Sequence, residues 1–259
     1  MKDEQSIKQL REFLKEDVRK RTDFTQSDQS LGHPMPPVEK PLEAGQEALA
    51  LPEWRDALTF KEDIAQLIAR RQSVRRYADE ALSAEEVSFL LWATQGVRRV
   101  QGERVLRHVP SAGNRHALET YLALTRPLVA RDGRSFAPGL WRYLPLGHAL
   151  VFLKSPEALP DQVAQAAMGQ AFVGQAPVTF IWSAIPYRME WRYRHASVKE
   201  IALDAGHVCQ NLYLAAEAIR CATCAVAAYD QPAADALLGL DGEDEFVIYM
   251  APVGKSREN

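Results

Sequence analysis

Cysteine is scarce: among 259 residues only Cys209, Cys221 and Cys224 occur. Three thiols cannot build a disulfide framework, which fits a reducing cytosol. Positive charge is not in excess either, with 31 Lys and Arg against 34 Asp and Glu and a formal net charge of -3. A duplex-binding surface usually needs a basic excess to displace counterions, so nucleic acid is not expected as a partner. Long apolar runs are missing, and Met1-Lys2-Asp3-Glu4-Gln5 opens neither a secretory signal nor a membrane anchor. A cytoplasmic chain with no membrane partner is expected. No Gly-x-Gly-x-x-Gly follows a strand candidate, which excludes a dinucleotide-binding fold. His33, His108, His116, His148, His195 and His207 show no metal-ligand spacing. Cys221-Ala222-Thr223-Cys224 follows a helix candidate without a βαβ setting, so no metal or dithiol site is expected.

With 47% apolar and 25% charged residues, the composition is that of an ordinary globular chain, and its length favours one sizeable core. Residues 1–55 differ from the remainder. Ser6 to Lys20 has Ile7, Leu10 and Leu14 at helical spacing. Prolines at 34, 36, 37 and 41 then predict an extended arm, either a disordered leader or a strap that wraps the domain or its partner. Residues 56–259 form the domain proper. Asp63 to Arg71 predicts a helix with Ile64, Leu67 and Ile68 on one face. Ser83 opens another, with Glu86 completing a capping box and Val87, Leu90, Leu91 and Thr94 facing inward.

Strand candidates are Tyr121–Thr125, Leu140–Tyr143, Ala149–Leu153, Val178–Trp182 and Phe246–Met250, each rich in aromatic, β-branched or aliphatic residues. Leu144-Pro145-Leu146-Gly147 reads as a hairpin turn. From Val198 to Arg220 the spacing predicts a long helix, because Ile201, Ala205, Val208, Leu212, Ala215 and Ile219 recur at steps of four and three. Leu203, Leu214 and Ala216 add apolar surface on other faces, as in a helix buried in a core or a subunit interface. The pattern is α+β, a mostly antiparallel sheet flanked by helices.

Three short motifs could carry chemistry. In Arg71-Gln72-Ser73-Val74-Arg75, alternate residues of an extended segment share one side, and two guanidinium forks with a hydroxyl between them suit a phosphate or an anionic ring. The same residues also read as a solvated basic helix end. Pro110-Ser111-Ala112-Gly113-Asn114 permits close backbone approach to a flat ligand, or is simply a loop. Gly206-His207-Val208-Cys209-Gln210-Asn211 places a glycine inside the long helix, which suggests a close backbone contact, with His207 a ligand or a hydrogen-bonded core or interface residue.

Taken in order, Arg-x-Ser-x-Arg, Pro-Ser-x-x-Asn before a strand and Gly-His-x-x-Gln-Asn-Leu resemble the nitroreductase superfamily. Gly139-Leu140-Trp141-Arg142-Tyr143-Leu144-Pro145 with His148, and the N-terminal arm, are similar to its SagB-type branch, whose best-known members oxidise azoline rings in modified peptides. The resemblance implies an intertwined homodimer with FMN at the subunit seam. Arg71, Gln72 and Ser73 are implied near the ribityl phosphate and Arg75 near the flavin N1 and O2 edge. Pro110, Ser111, Ala112 and Asn114 would come from the partner chain. Ala225, Val226, Ala227 and Ala228 match the segment beside flavin N5, and Lys255 or Arg257 would add a phosphate contact.

The implied reaction passes hydride from NAD(P)H through flavin N5 to a small organic acceptor such as a nitroaromatic or quinone. Ring oxidation of azolines is the alternative, and a catalytically idle flavin-binding subunit a third reading. Two departures bear on this. Ala227 and Ala228 stand where relatives often have glycine or an acid. Arg192-Tyr193 stands where azoline dehydrogenases carry Lys-Tyr, and arginine cannot lose its proton in practice; Tyr193 could still donate a proton in a reduction.

Overall fold

The computed structural model describes residues 7–60 and 62–257. Its strands, in chain order, are β1 (Ala48–Ala50), β2 (Val97–Gln101), β3 (Arg104–Arg107), β4 (Leu118–Leu124), β5 (Leu128–Val129) and β6 (Ser135–Phe136). They continue with β7 (Gly139–Leu144), β8 (Ala149–Lys154), β9 (Val178–Ala184), β10 (Cys221–Thr223) and β11 (Phe246–Lys255). The helices used below are α1 (Asp17–Arg21), α2 (Ile64–Arg70), α3 (Ala84–Gln95), α4 (Leu159–Ala166), α5 (Ala171–Gln175), α6 (Tyr187–Tyr193), α7 (Ser197–Ala218) and α8 (Gln231–Leu238).

Seven strands form one sheet in the order β1-β8-β7-β4-β9-β11-β10, every neighbouring pair antiparallel. Leu118, Leu122 and Leu124 of β4 enter one apolar cluster with α3 and α7, whereas Tyr121 and Ala123 enter another with α4 and α8. Successive side chains on a strand point to opposite faces, so both faces of β4 are covered and the strand is buried throughout. In β9 the paired Phe180 lies opposite Leu122, and Ile181 opposite Tyr121. Each such large side chain taken fully out of water contributes about 1.5–3 kcal/mol.

The predicted capping box forms: Ser83 Oγ accepts the Glu86 N–H at 3.2 Å, and Glu86 accepts the Ser83 N–H at 2.9 Å. Val87, Leu90, Leu91 and Thr94 are buried as expected. The stripe from Ile201 to Ile219 is buried too, while Leu203 is exposed. Leu67 is buried, but Ile64 and Ile68 of the same predicted face point to solvent. Among the described residues no helix is long and apolar enough to cross a membrane.

The helix expected over Ser6 to Lys20 breaks. Residues 7–10 are helical and run into a 3-10 turn at Arg11–Leu14, which ends at Lys15, an extended residue, and the helix resumes at Asp17. Leu10 and Leu14 are exposed; Ser6 lies outside the described residues. The proline-rich stretch forms neither helix nor strand, and hydrogen bonds strap it to this chain's own domain. Arg107 donates to Val38 O at 2.7 Å, and Arg142 donates to Lys40 O and Pro41 O at 2.8 and 2.9 Å. Trp191 Nε1 donates to His33 O, and the Lys40 N–H to Glu119. Ala48–Ala50, on the arm side of residue 55, is the edge strand of the sheet, and Leu51 and Trp54 join the core.

Candidate functional site

Helix α7 organises two groups of predicted residues. Near its C-terminal end the Tyr213 hydroxyl is 2.8 Å from Ser73 Oγ and accepts the Ala225 N–H at 2.8 Å. Ser73 also bridges Thr223 in parallel, and the Val74 N–H donates to Thr223 O at 3.0 Å. One phenol therefore ties the Arg-x-Ser-x-Arg segment to the Ala225–Ala228 segment. The Arg71 guanidinium lies over the Tyr213 ring at 5.3 Å, and that of Arg75 over Phe172 at 5.8 Å. Arg71, Gln72, Arg75 and Arg76 make no side-chain hydrogen bond or ion pair among the described residues. Arg257 shares with Arg75 and Arg76 a recess of about 480 Å³, and its Nε donates to Tyr77 O at 2.9 Å.

Lys255 is not part of this group. It forms an ion pair with Glu86, a largely buried side chain at the start of α3. In the 225–228 segment the Ala225 N–H is spent on Tyr213 and the Val226 N–H on Met250 O at 2.8 Å. Ala227 and Ala228 are exposed, and their N–H groups donate to nothing among the described residues. Only those two backbone donors of the segment are available to a ligand.

The second group lies nearer the other end of α7. Asp204 Oδ1 accepts the Ala112 N–H at 3.3 Å, and Asp204 stands nine residues before Tyr213, about 13 Å along a helix rising 1.5 Å per residue. Gly113 has φ +55°, and a Cβ built there would collide with the Tyr193 hydroxyl and lie 2.9 Å from Arg192 Cδ. Gly113 thus lets the loop meet Tyr193. Asn114 Oδ1 is 2.9 Å from His116 Nε2, while Asn114 Nδ2 and Asp204 Oδ2 are buried without partners. Burial raises the Asp204 carboxyl above its ordinary range, against hydrogen bonds from Ser111 and Ala112. Pro110 is exposed. Gly206 meets no atom of this chain and His207 is exposed, so neither the close contact nor the core histidine is found within one chain.

Two buried histidines make the fold acid-sensitive. Burial, then the charges of Arg107, Arg115 and Arg188, lowers His116 to about 3; burial lowers His148, held between Ser88 Oγ and Tyr143 OH, to about 4. Both folded values lie below the unfolded value, so the unfolded chain takes up protons first as pH falls below about 6.5. The expected loss by pH 4 is roughly 3 kcal/mol per histidine, opposed in part by Asp204 and Glu39, which burial shifts upward. Urea midpoints measured at neutral and at acid pH check this; identical midpoints contradict it.

Residues 68–255 match the family model described as the nitroreductase family. The chain belongs to this family of oxidoreductases. A Methanocaldococcus jannaschii protein with a provisional nitroreductase name is 30% identical over 192 residues, 74% of this chain and 90% of that protein. Among solved structures, a nitroreductase-like protein from Ralstonia eutropha JMP134 is 24% identical with a TM-score of 0.66, covering 87% of this chain and all of the other. A chain of the E. coli microcin synthetase McbBCD complex with truncated pro-MccB17 is 17% identical with a TM-score of 0.59, covering 83% of this chain and 80% of that one. At these identities the structural likenesses establish the α+β fold shared by this nitroreductase-family chain.

Tyr213, Asp204 and Arg115 were not singled out from sequence. Tyr213 sits two residues after Asn211 in the helix motif, and only the tertiary position of Ser73 and Ala225 reveals its hydroxyl's role.

Proposed function

We propose that this nitroreductase-family chain is an FMN-dependent oxidoreductase that moves hydride from a reduced nicotinamide nucleotide to a small organic acceptor, nitroaromatic or quinone-like, and that two copies complete each site. The observation that carries this is the set of unspent groups at two places on α7. Among the described residues Arg71, Arg75 and Arg76 have no counter-ion near one end, and Asn114 Nδ2 is buried without a partner near the other. A phosphate dianion needs charge-assisted donors, and a flat polar ring needs amide donors such as Asn114 and the free N–H groups of Ala227 and Ala228. The separation of about 13 Å along α7 favours assembly of one site from two chains, and exposed Ile64, Ile68, Val198 and Leu203 supply apolar surface for such pairing.

These residues fit FMN. Bound flavin supplies reversible hydride chemistry. Arg71 and Ser73 hold the phosphate, Arg75 offsets negative charge on the reduced ring, and Tyr193 holds a proton for the acceptor. Azoline oxidation by the SagB-type route depends on a lysine where Arg192 stands, which disfavours it here. Purified protein supplied with FMN is expected to be yellow and to bleach under anaerobic NADH or NADPH; failure to bleach with either nucleotide removes the donor half of the proposal. Light scattering at low concentration tests the pairing, and a folded monomer that keeps its flavin contradicts it.

A further inference from the structure

Three side chains from two segments meet at Gly113. Arg115 is 7% exposed, donates its Nε to Gly113 O at 3.2 Å, and lays its guanidinium over the Trp191 ring at 5.0 Å. Arg192 runs its Cδ and Nε along the open side of Gly113, with its guanidinium 5.4 Å from the Tyr193 ring. The Tyr193 hydroxyl closes on the same glycine.

The two arginines have no acidic partner among the described residues. Arg107 and Arg142, equally buried, also lack an acid, but neutral acceptors take their forks. Arg188, one turn earlier in α6, is paired with Glu119 at 2.5 Å. Apart from the Arg115 Nε bond to Gly113 O, the forks of Arg115 and Arg192 have no acceptor among the described residues. Asp204 of α7, the carboxylate bonded to this loop, accepts the Ala112 N–H instead. Burial, then the charges of Arg192 and Arg104, makes the charged form of Arg115 harder to hold, with Tyr193 opposing. A like-charged pair kept partly out of water lacks the anion that would neutralise it.

The backbone is also bent to hold this arrangement. Arg194, directly after Tyr193, has φ +48° and ψ -128°, a region costly for any residue but glycine, about 1–3 kcal/mol. Its guanidinium donates to Asp23 O of the N-terminal arm at 3.1 Å. Strain of this kind persists only where surrounding contacts fix it, and here it fixes the turn that presents Arg192 and Tyr193 to the loop.

We infer that Arg115 and Arg192 form a carboxylate-binding site beside Tyr193, and that the acceptor this enzyme reduces carries an anionic group. Planar guanidinium forks accept a carboxylate in two parallel hydrogen bonds, and Trp191 and Tyr193 offer ring faces beside it. The inference rests on the reading that the 110–114 loop lines the flavin site.

The test uses FMN-loaded, oxidised protein titrated calorimetrically with benzoate and with benzamide, which share a ring and differ in charge. Benzoate is expected to bind about 10- to 100-fold more tightly, the range given by one charge-assisted hydrogen bond gained over the neutral amide. Arg192→Gln should close that gap to about twofold and Arg192→Lys restore part of it, because lysine keeps the charge and loses the fork. The ratio of kcat/KM for para-nitrobenzoate over para-nitrobenzamide should follow the same order. Arg115→Gln is the second variant; Arg192, only partly buried, keeps the test decisive should that one fail to fold. Equal binding of the two ligands, or a gap that survives Arg192→Gln, overturns the inference. So does benzoate binding that appears only when FMN is stripped, which assigns the arginines to the cofactor phosphate. A colourless protein that refuses FMN sinks the flavin reading instead, so the two failures are told apart by eye.

Discussion

Replacing Arg71 and Arg75 together by alanine is expected to leave a folded protein whose FMN affinity is lower by about 100- to 10,000-fold. Neither guanidinium bonds to anything else among the described residues, and both contact only an aromatic face. Surface changes of that kind usually alter stability by no more than about 0.5 kcal/mol. A hydrogen bond to a charged group is worth about 1.5–3 kcal/mol, so two such losses sum to about 3–6 kcal/mol, and each 1.4 kcal/mol is tenfold. Ser73 and the free N–H groups of Ala227 and Ala228 remain and set the residual affinity. Flavin fluorescence quenching measures the change, with circular dichroism as the control on folding. Undiminished FMN in the double variant contradicts the placement of the phosphate.

The second large effect is on stability. Glu119→Ala should destabilise the fold by about 3–5 kcal/mol, the range for removing one partner of a buried ion pair. Arg188 is 4% exposed as a side chain and keeps its charge with nothing facing it, apart from a long contact of 3.4 Å to His116 O. The same carboxylate oxygen accepts the Lys40 N–H at 3.1 Å, so the strap loses an anchor too. Urea unfolding reads the first consequence, and limited proteolysis across residues 33–41 reads the second. Glu119→Gln keeps an acceptor for the Lys40 N–H and should protect the strap better than alanine does. An unchanged urea midpoint in Glu119→Ala refutes the account.

Much of the layer structure was legible because it depends on local pattern. The Ser83 capping box, the inner face of α3 and the stripe on α7 need only their own spacing, and all stand where the sequence puts them. Five of the seven sheet strands are legible for the same reason, while the exposed edge strand β1 and the three-residue β10 carry no such pattern. The hairpin β2–β3 was missed because Arg98, Arg99, Arg104 and Arg107 hide its alternation, although Gly102 at φ +59° marks its turn. The helix read over Ser6 to Lys20 is present in two pieces, broken at residues 15–16, and its apolar spacing does not announce that Leu10 and Leu14 stay exposed. In the site, motif order gave the two groups of residues but not their wiring. That the Ala225 and Val226 N–H groups are already used, and that Lys255 belongs to Glu86, follows from contacts between segments far apart in sequence. The carboxylate of Glu119 and the guanidinium of Arg188 are 69 residues apart, a pairing no local pattern announces.

The strap carries one more implication. Arg107 and Arg142 hold it by the carbonyls of Val38, Lys40 and Pro41, not by side chains at those positions. Every residue offers the same carbonyl, so at Val38 and Pro41 the route is inscribed in the domain's arginines, whereas Lys40 is held by its own side chain as well, through Glu245. What the ribbon cannot change freely is its count: the two forks stand at fixed places in the domain, and one residue added or lost between Val38 and Lys40 carries the carbonyls out of step with them.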